Sequence, residues 1–273
     1  MIQSKDISFP SPHVVGQLAT FHPDRPDGLT EYHAMLHVSP TLATFTTEME
    51  ALLQGYLHLL ALLPHTRVVM RRIQCSDIAN QIILLQQHLH TLHIDQGALS
   101  IVGQPPLDGS KISLWVYLID ETTVEVSKNF TRVTHNGYQH YWHSNLINMT
   151  GGSSNQTRKI LEHYEQSLAA ADMTLAEHCR RTWFYIRDVD THYKGMVEAR
   201  CANFTMQRLT PDTHYIASTG IGGQPLAVAS RVQMDAFAAK GLQPSQQTYL
   251  YAPTHLNPTY QYGVTFERGV VLK

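Results

Sequence analysis

QTRKILEHYEQSLAAADMTLAEHCRRTWFYIRDVDTHYKGMVEARCANF, residues 156–204, reads as helix, strand, helix. In its first part Ile160, Leu161, Tyr164 and Leu168 fall at helical spacing and lay one apolar stripe along 156–172. RRTWFYIRDV (180–189) has the aromatic and β-branched character of a strand. Asp188 or Asp190 can then cap a helix over 191–204. HYIASTGIGG (214–223) and RVQMDAFAA (231–239) close the unit as two further strands, while TVEVSKNFTRV (123–133) and GYQHYWHSNLI (137–147) open it as a hairpin around Asn136-Gly137.

The first half follows the same order. EYHAMLHVS (31–39) reads as a strand, and a capping box over Thr47–Glu50 starts a helix that Pro64 stops. TRVVMRRIQC (66–75) is the next strand. A second helix begins at Ser76-Asp77 and carries Ile78, Ile82, Leu85, Leu89 and Leu92 on one stripe. ALSIVG (98–103) and KISLWVYLI (111–119) are strands, the latter with clean alternation. Residues 1–30 read as an irregular lead-in with one strand around 13–21. RRIQCSDIA (71–79) aligns with FYIRDVDT, Asp77 over Asp188, at an offset of 111. SIVGQPPLDGSKISLWV (100–116) runs beside STGIGGQPLAVASRVQMDAF (218–237). NFTRV (129–133) returns as TFERGVV (265–271), Phe130 over Phe266 and Arg132 over Arg268, so Val264–Lys273 is expected to be an opening strand without neighbours. The expected organisation is a lobe over 1–121, a second over 122–243, and the start of a truncated third over 244–273.

Composition narrows the function. The 273 residues carry a net charge of −2, and the longest cationic runs, Arg71-Arg72 and Arg180-Arg181, are two residues long. No basic field exists to hold a polyanion, so nucleic acid is not an expected partner. No stretch resembles a signal peptide or reaches the ~18 apolar residues of a membrane span. Cys75, Cys179 and Cys201 form no C-x-x-C pair and read as reduced structural thiols of a cytoplasmic protein. Among 17 histidines, His88, His90 and His93 and then His135, His140 and His143 cluster. Their spacing points neighbours in different directions, so solvated surface histidines are expected, with no metal and no cofactor.

Residues 156–239 resemble the RidA/YjgF superfamily, also known as endoribonuclease L-PSP or translation initiation inhibitor proteins. RTWFYIRDVDTHYKGMVEAR followed by ASTGIGG, with YQYGVTFERG (260–269), most resembles its chorismatase branch. The resemblance implies an α/β (α+β) fold of tandem βαββαβ lobes, each a mixed sheet backed by two helices, associating as trimers or pseudo-trimers. It implies a small carboxylate metabolite bound between lobes. The superfamily's carboxylate-gripping arginine falls on Ala217 and near Leu99, and its glutamate on Gln233, with Asp235 two residues on, so imine hydrolysis is not expected here.

In the chorismatase branch the enolpyruvyl ether of chorismate is cleaved. Ser218, Thr219 and Gly220 are the expected substrate-binding backbone, although a tight turn would use the same residues. Arg268 is the expected carboxylate clamp, or else a surface arginine on an edge strand. Trp183 and Tyr185 read as core. The branch's acid is expected past Lys273, which leaves the catalytic residue unknown and this chain alone inactive. The other functions in view are a non-catalytic small-acid sensor or scaffold and an endoribonuclease or translation inhibitor.

Overall fold

The computed structural model describes residues 2–24, 28–40, 44–252 and 254–273. Strands β1 (Ile2–Ile7), β2 (Val14–Phe21) and β3 (Glu31–Val38) lead into α1 (Phe45–Leu62), β4 (Thr66–Cys75), α2 (Ile78–Thr91), β5 (Ala98–Gly103) and β6 (Ile112–Asp120). The order then repeats. β7 (Val124–Ser127), β8 (Phe130–His135) and β9 (Tyr138–Ile147) lead into α3 (Ser153–Ala169), the short α4 (Leu175–His178), β10 (Cys179–Ile186), α5 (Val189–Met206), β11 (Ala217–Gly222) and β12 (Val232–Lys240). β13 (Gln247–Leu250) and β14 (Gly269–Leu272) form a two-stranded sheet.

The first six-stranded sheet has the order β1-β2-β3-β6-β4-β5 and the second β7-β8-β9-β12-β10-β11. The second order is the first with six added to each strand, so the tandem α+β architecture is a property of the topology itself. In each sheet the last pair is parallel, β4–β5 and β10–β11, because a helix crosses over between them. The chain folds as two compact units, Met1–Gly137 and Tyr138–Lys273. Among the described residues no helix is long and apolar enough to cross a membrane.

The duplication extends to single hydrogen bonds. Asp77 and Asp188 are the N-cap residues of α2 and α5. Ser76 N–H donates to Lys111 O and Arg187 N–H to Arg231 O, each at 2.9 Å. Gln104 N–H donates to Cys75 O (2.9 Å) and Gly223 N–H to Ile186 O (3.0 Å). The first helix of each copy also carries a fully buried acceptor in its first turn. Glu48 Oε2 accepts Lys111 N–H at 2.5 Å, and Gln156 Oε1 accepts Arg231 N–H at 2.7 Å.

Packing follows the sequence periodicity. Tyr32, Ala34, Leu36 and Val38 alternate inward along β3, while both faces of β6 are largely buried, as suits a strand hydrogen-bonded on either side. The two helices of each copy pack on each other and therefore on one sheet face. His88 of α2 approaches Glu50 of α1 at 3.6 Å, and Gly195 of α5 meets Ser153 of α3 so closely that a Cβ would collide with its hydroxyl.

Several expectations are corrected. α1 starts earlier: its capping box is Thr44 with Thr47, Thr47 N–H donating to Thr44 Oγ1 at 3.2 Å. Residues 2–7 form a strand, β1, antiparallel to β2. Residues 123–133 are two strands, because Asn129 adopts φ 62° and turns the chain back on itself. His135, His140 and His143 are buried rather than solvated, and burial pulls the His143 pKa down to about 4. The segment after Val264 has a neighbour: β14 pairs with β13, Thr248 opposite Val271.

Exchanging Glu48 for alanine leaves the half-buried Lys111 N–H without its acceptor. The expected loss is about 2 kcal/mol in urea unfolding, the size of a hydrogen bond to a charged group. Glu48→Gln supplies the amide oxygen that Gln156 supplies in the second copy, and should recover most of it. Equal instability of the two variants would contradict this role.

Candidate functional site

Ser218, Thr219 and Gly220 lie in β11, where successive side chains point to opposite faces. Ser218 and Gly220 face α5. Ser218 Oγ accepts from Thr182 Oγ1 (2.8 Å) and from Arg200 Nη1 (3.1 Å), and Gly220 lies so close to Met196 and Tyr193 that a Cβ would displace the tip of the Met196 side chain. Thr219 faces the other way, where its hydroxyl accepts from Arg181 Nη2. The three residues are therefore split between two surfaces.

The strand positions named by the family likeness are occupied by packing groups. Ala217, Leu99 and Tyr185 are buried, while Trp183 is half-buried with the Arg181 guanidinium 5.3 Å from its ring. Gln233 and Asp235 are wholly buried. Gln233 accepts Leu226 N–H (2.8 Å) and donates to Asn145 Oδ1 (3.0 Å), while Asp235 accepts Asn145 N–H (3.0 Å). Asn145 has φ 51° beside the register shift between β12 and β9. These two side chains hold a bulge in place.

Arg268 lies in a different place, a small pocket shaped by the residues after Pro211. Tyr215, Tyr251, Asn257, Thr259, Glu267 and Arg268 line it, and its volume is about 40 Å³. That is space for a few waters or one carboxylate group, well below the ~300 Å³ of a pocket that encloses a whole small molecule. Arg268 Nη2 donates to Asn257 O (3.2 Å), and its guanidinium lies 5.2 Å from the Phe266 ring. Thr259 Oγ1 donates to Phe266 O (2.7 Å), fixing the loop to the chain end.

Glu267 is the residue that sequence reading missed. Its side chain is only 6% exposed. Oε1 accepts Tyr215 N–H at 2.9 Å, and its own N–H donates to Ile216 O at 3.0 Å, so the residue sits as a short bridge on the start of β11. Burial raises the Glu267 pKa, partly opposed by the Tyr215 N–H. Tyr215 and Tyr251 are also pushed up, by burial first. The pocket thus holds the Arg268 guanidinium beside a carboxyl whose pKa is raised by burial. The sequence signal was the tripeptide Phe-Glu-Arg itself, whose first and third residues match Phe130 and Arg132 while Glu267 stands over Thr131. Thr131 Oγ1 likewise accepts the Ala98 N–H at the start of β5, at 2.8 Å.

No family model and no curated protein matches this chain. Among solved structures it is similar to a YjgF protein family member from Neisseria meningitidis, with 20% identity over 41% of this chain and 87% of that one, TM-score 0.34. A member of the YjgF/YER057c/UK114 family from Mycobacterium tuberculosis matches with 20% identity over 39% of this chain and 82% of that one, TM-score 0.32. A chorismatase matches over 73% of this chain and 57% of its own, with 14% identity and TM-score 0.44.

The Glu267 carboxyl carbon, followed by NMR through a pH titration, should show a midpoint above that of an ordinary glutamate. Its raised folded-state pKa also means that its contribution to stability is present below the unfolded-state value and lost as pH rises through the folded-state value. A midpoint at or below the ordinary value would contradict the burial described for it.

Proposed function

We propose that this chain is a chorismatase-like protein that holds a small cyclic carboxylate, chorismate or a close relative, at the Tyr215–Tyr251–Glu267–Arg268 pocket. The observation that carries this reading is the placement of Arg268 and a buried Glu267 in one pocket of carboxylate size. A guanidinium matches a carboxylate in charge and in its forked donor geometry. The raised pKa of Glu267 lessens its repulsion of an incoming anion. In this reading the lobes are residues 1–121 and 122–243, and Ser218, Thr219 and Gly220 shape the strand at whose start the pocket lies.

The same pair suits cleavage of an enolpyruvyl ether. Glu267 would give its proton to the terminal methylene carbon, leaving a cation stabilised by the ether oxygen. Water adds to the cationic carbon that bears the ether oxygen, and its released proton returns to the carboxylate. The hemiketal then collapses to pyruvate and the ring alcohol. The pocket volume favours a second reading as well. About 40 Å³ admits a carboxylate but leaves a ring outside, as a sensor that binds a small acid without turnover would have it. A net charge of −2 argues against RNA as the ligand.

Calorimetric titration of chorismate, with pyruvate release followed in parallel, tests the proposal. Arg268→Ala should weaken binding by roughly 10–100-fold, the worth of a charge-assisted hydrogen bond. Glu267→Gln should bind as the parent does while any pyruvate release falls by about 10²–10⁴-fold. Binding with no release by the parent would select the sensor, and equal binding by the parent and Arg268→Ala would contradict the site.

A further inference from the structure

Arg200 is a charge in a position that the fold does not require to be charged. It is 1% exposed and sits on α5 at the offset that places Asp188 over Asp77. In the first copy that position is Leu89, a buried core residue of α2. Its Nη1 donates to Ser218 Oγ at 3.1 Å, whereas Nε and Nη2 are buried without a hydrogen-bond partner. A buried guanidinium held by one hydroxyl is unfavourable for stability, and burial pulls its pKa down.

Aromatic rings surround it instead. The guanidinium carbon lies 6.0 Å from the centre of the Phe184 ring and 5.6 Å from that of Phe266. Phe266 is the same ring that Arg268 approaches at 5.2 Å. The next residue of α5, Cys201, places Sγ 3.2 Å from Thr265 Oγ1. One turn of α5 therefore grips Thr265 and Phe266, the two residues that precede Glu267 and Arg268. Cation–π attraction is strongest where the cation is stripped of water, which is the condition of Arg200.

We infer that Arg200 is the positioning residue of the pocket: by holding the Phe266 ring it fixes Glu267 in its buried setting and Arg268 on the pocket wall. This rests on the carboxylate-binding reading for its use, though not for its geometry. The first copy shows why the interaction is local to this site. There Leu89 needs no aromatic clasp, and Thr131 of β8, which stands against the start of β5 as Glu267 does against the start of β11, has no titratable group.

Arg200→Leu restores the residue of the first copy, and Phe266→Leu keeps Arg200 while removing the ring. The readout is the NMR titration midpoint of Glu267 in the full chain, without ligand. In both variants the midpoint should fall towards that of an ordinary glutamate, as the carboxyl comes into water. Chorismate binding, where the parent shows it, should weaken by about tenfold, the equivalent of ~1.4 kcal/mol. An unchanged midpoint in Phe266→Leu would overturn the inference, even if Arg200→Leu failed to fold. Failure of the parent to bind chorismate, with the midpoint shift present, would instead remove the carboxylate reading and leave the positioning role standing.

Discussion

Each copy of the repeated unit depends on one hydrogen bond between a buried helix side chain and the loop that enters the central strand. Glu48 in the first copy and Gln156 in the second sit fully buried on the first turn of the leading helix. Each accepts the backbone N–H of the residue just before β6 or β12. Those strands are hydrogen-bonded on both sides, β6 between β3 and β4 and β12 between β9 and β10. Their entry point therefore sets the register of the whole sheet. In the first copy Lys111 Nζ adds an ion pair to Glu48 at 2.9 Å, whereas the amide of Gln156 donates towards Gly151 O at 3.2 Å. A carboxylate and an amide solve the same problem because the requirement is an oxygen at that point, not a charge.

Duplication also provides an internal comparison for function. Positions that keep their role across the copies, such as Asp77 with Asp188, belong to the fold. Those that change character are concentrated near the end of the second copy. Leu89 gives way to the buried Arg200, and Thr131 to Glu267. Both changes place ionisable groups at buried positions, against the preference of a packed interior. The later segment itself behaves like the β7–β8 hairpin: β14 pairs with β13, and Glu267 bridges to Ala217 as Lys128 bridges to Gly97. The pocket arises where that second hairpin-like segment carries a glutamate and an arginine, with Tyr251, Asn257 and Thr259 supplied by the loop between its strands.

Much of this fold was legible in the sequence because its strands and helices carry their own periodicity. TRVVMRRIQC and ALSIVG end where their apolar runs end, and the strand bounds follow them. β1 was not legible, since Gln3, Ser4, Lys5 and Asp6 have no buried face and the strand exists through its pairing with β2. The cap at Thr44 was displaced by a second acceptable box three residues later. Burial of His135, His140 and His143 came from strand packing that local spacing does not encode. The site was legible only in part. Arg268 was visible as a candidate carboxylate ligand, but the raised pKa of Glu267 comes from burial, partly opposed by the Tyr215 N–H, and both are set by groups distant in sequence. The strand residues Ser218 and Gly220 read as ligand backbone, yet they serve α5.

A crystal structure of the full chain grown with benzoate, a ring carboxylate that cannot react, addresses the central claim directly. The expected result is a carboxylate in the pocket within hydrogen-bond distance of Arg268, with its ring lying outside towards Tyr251. Benzoate bound elsewhere while this pocket holds only water would contradict it.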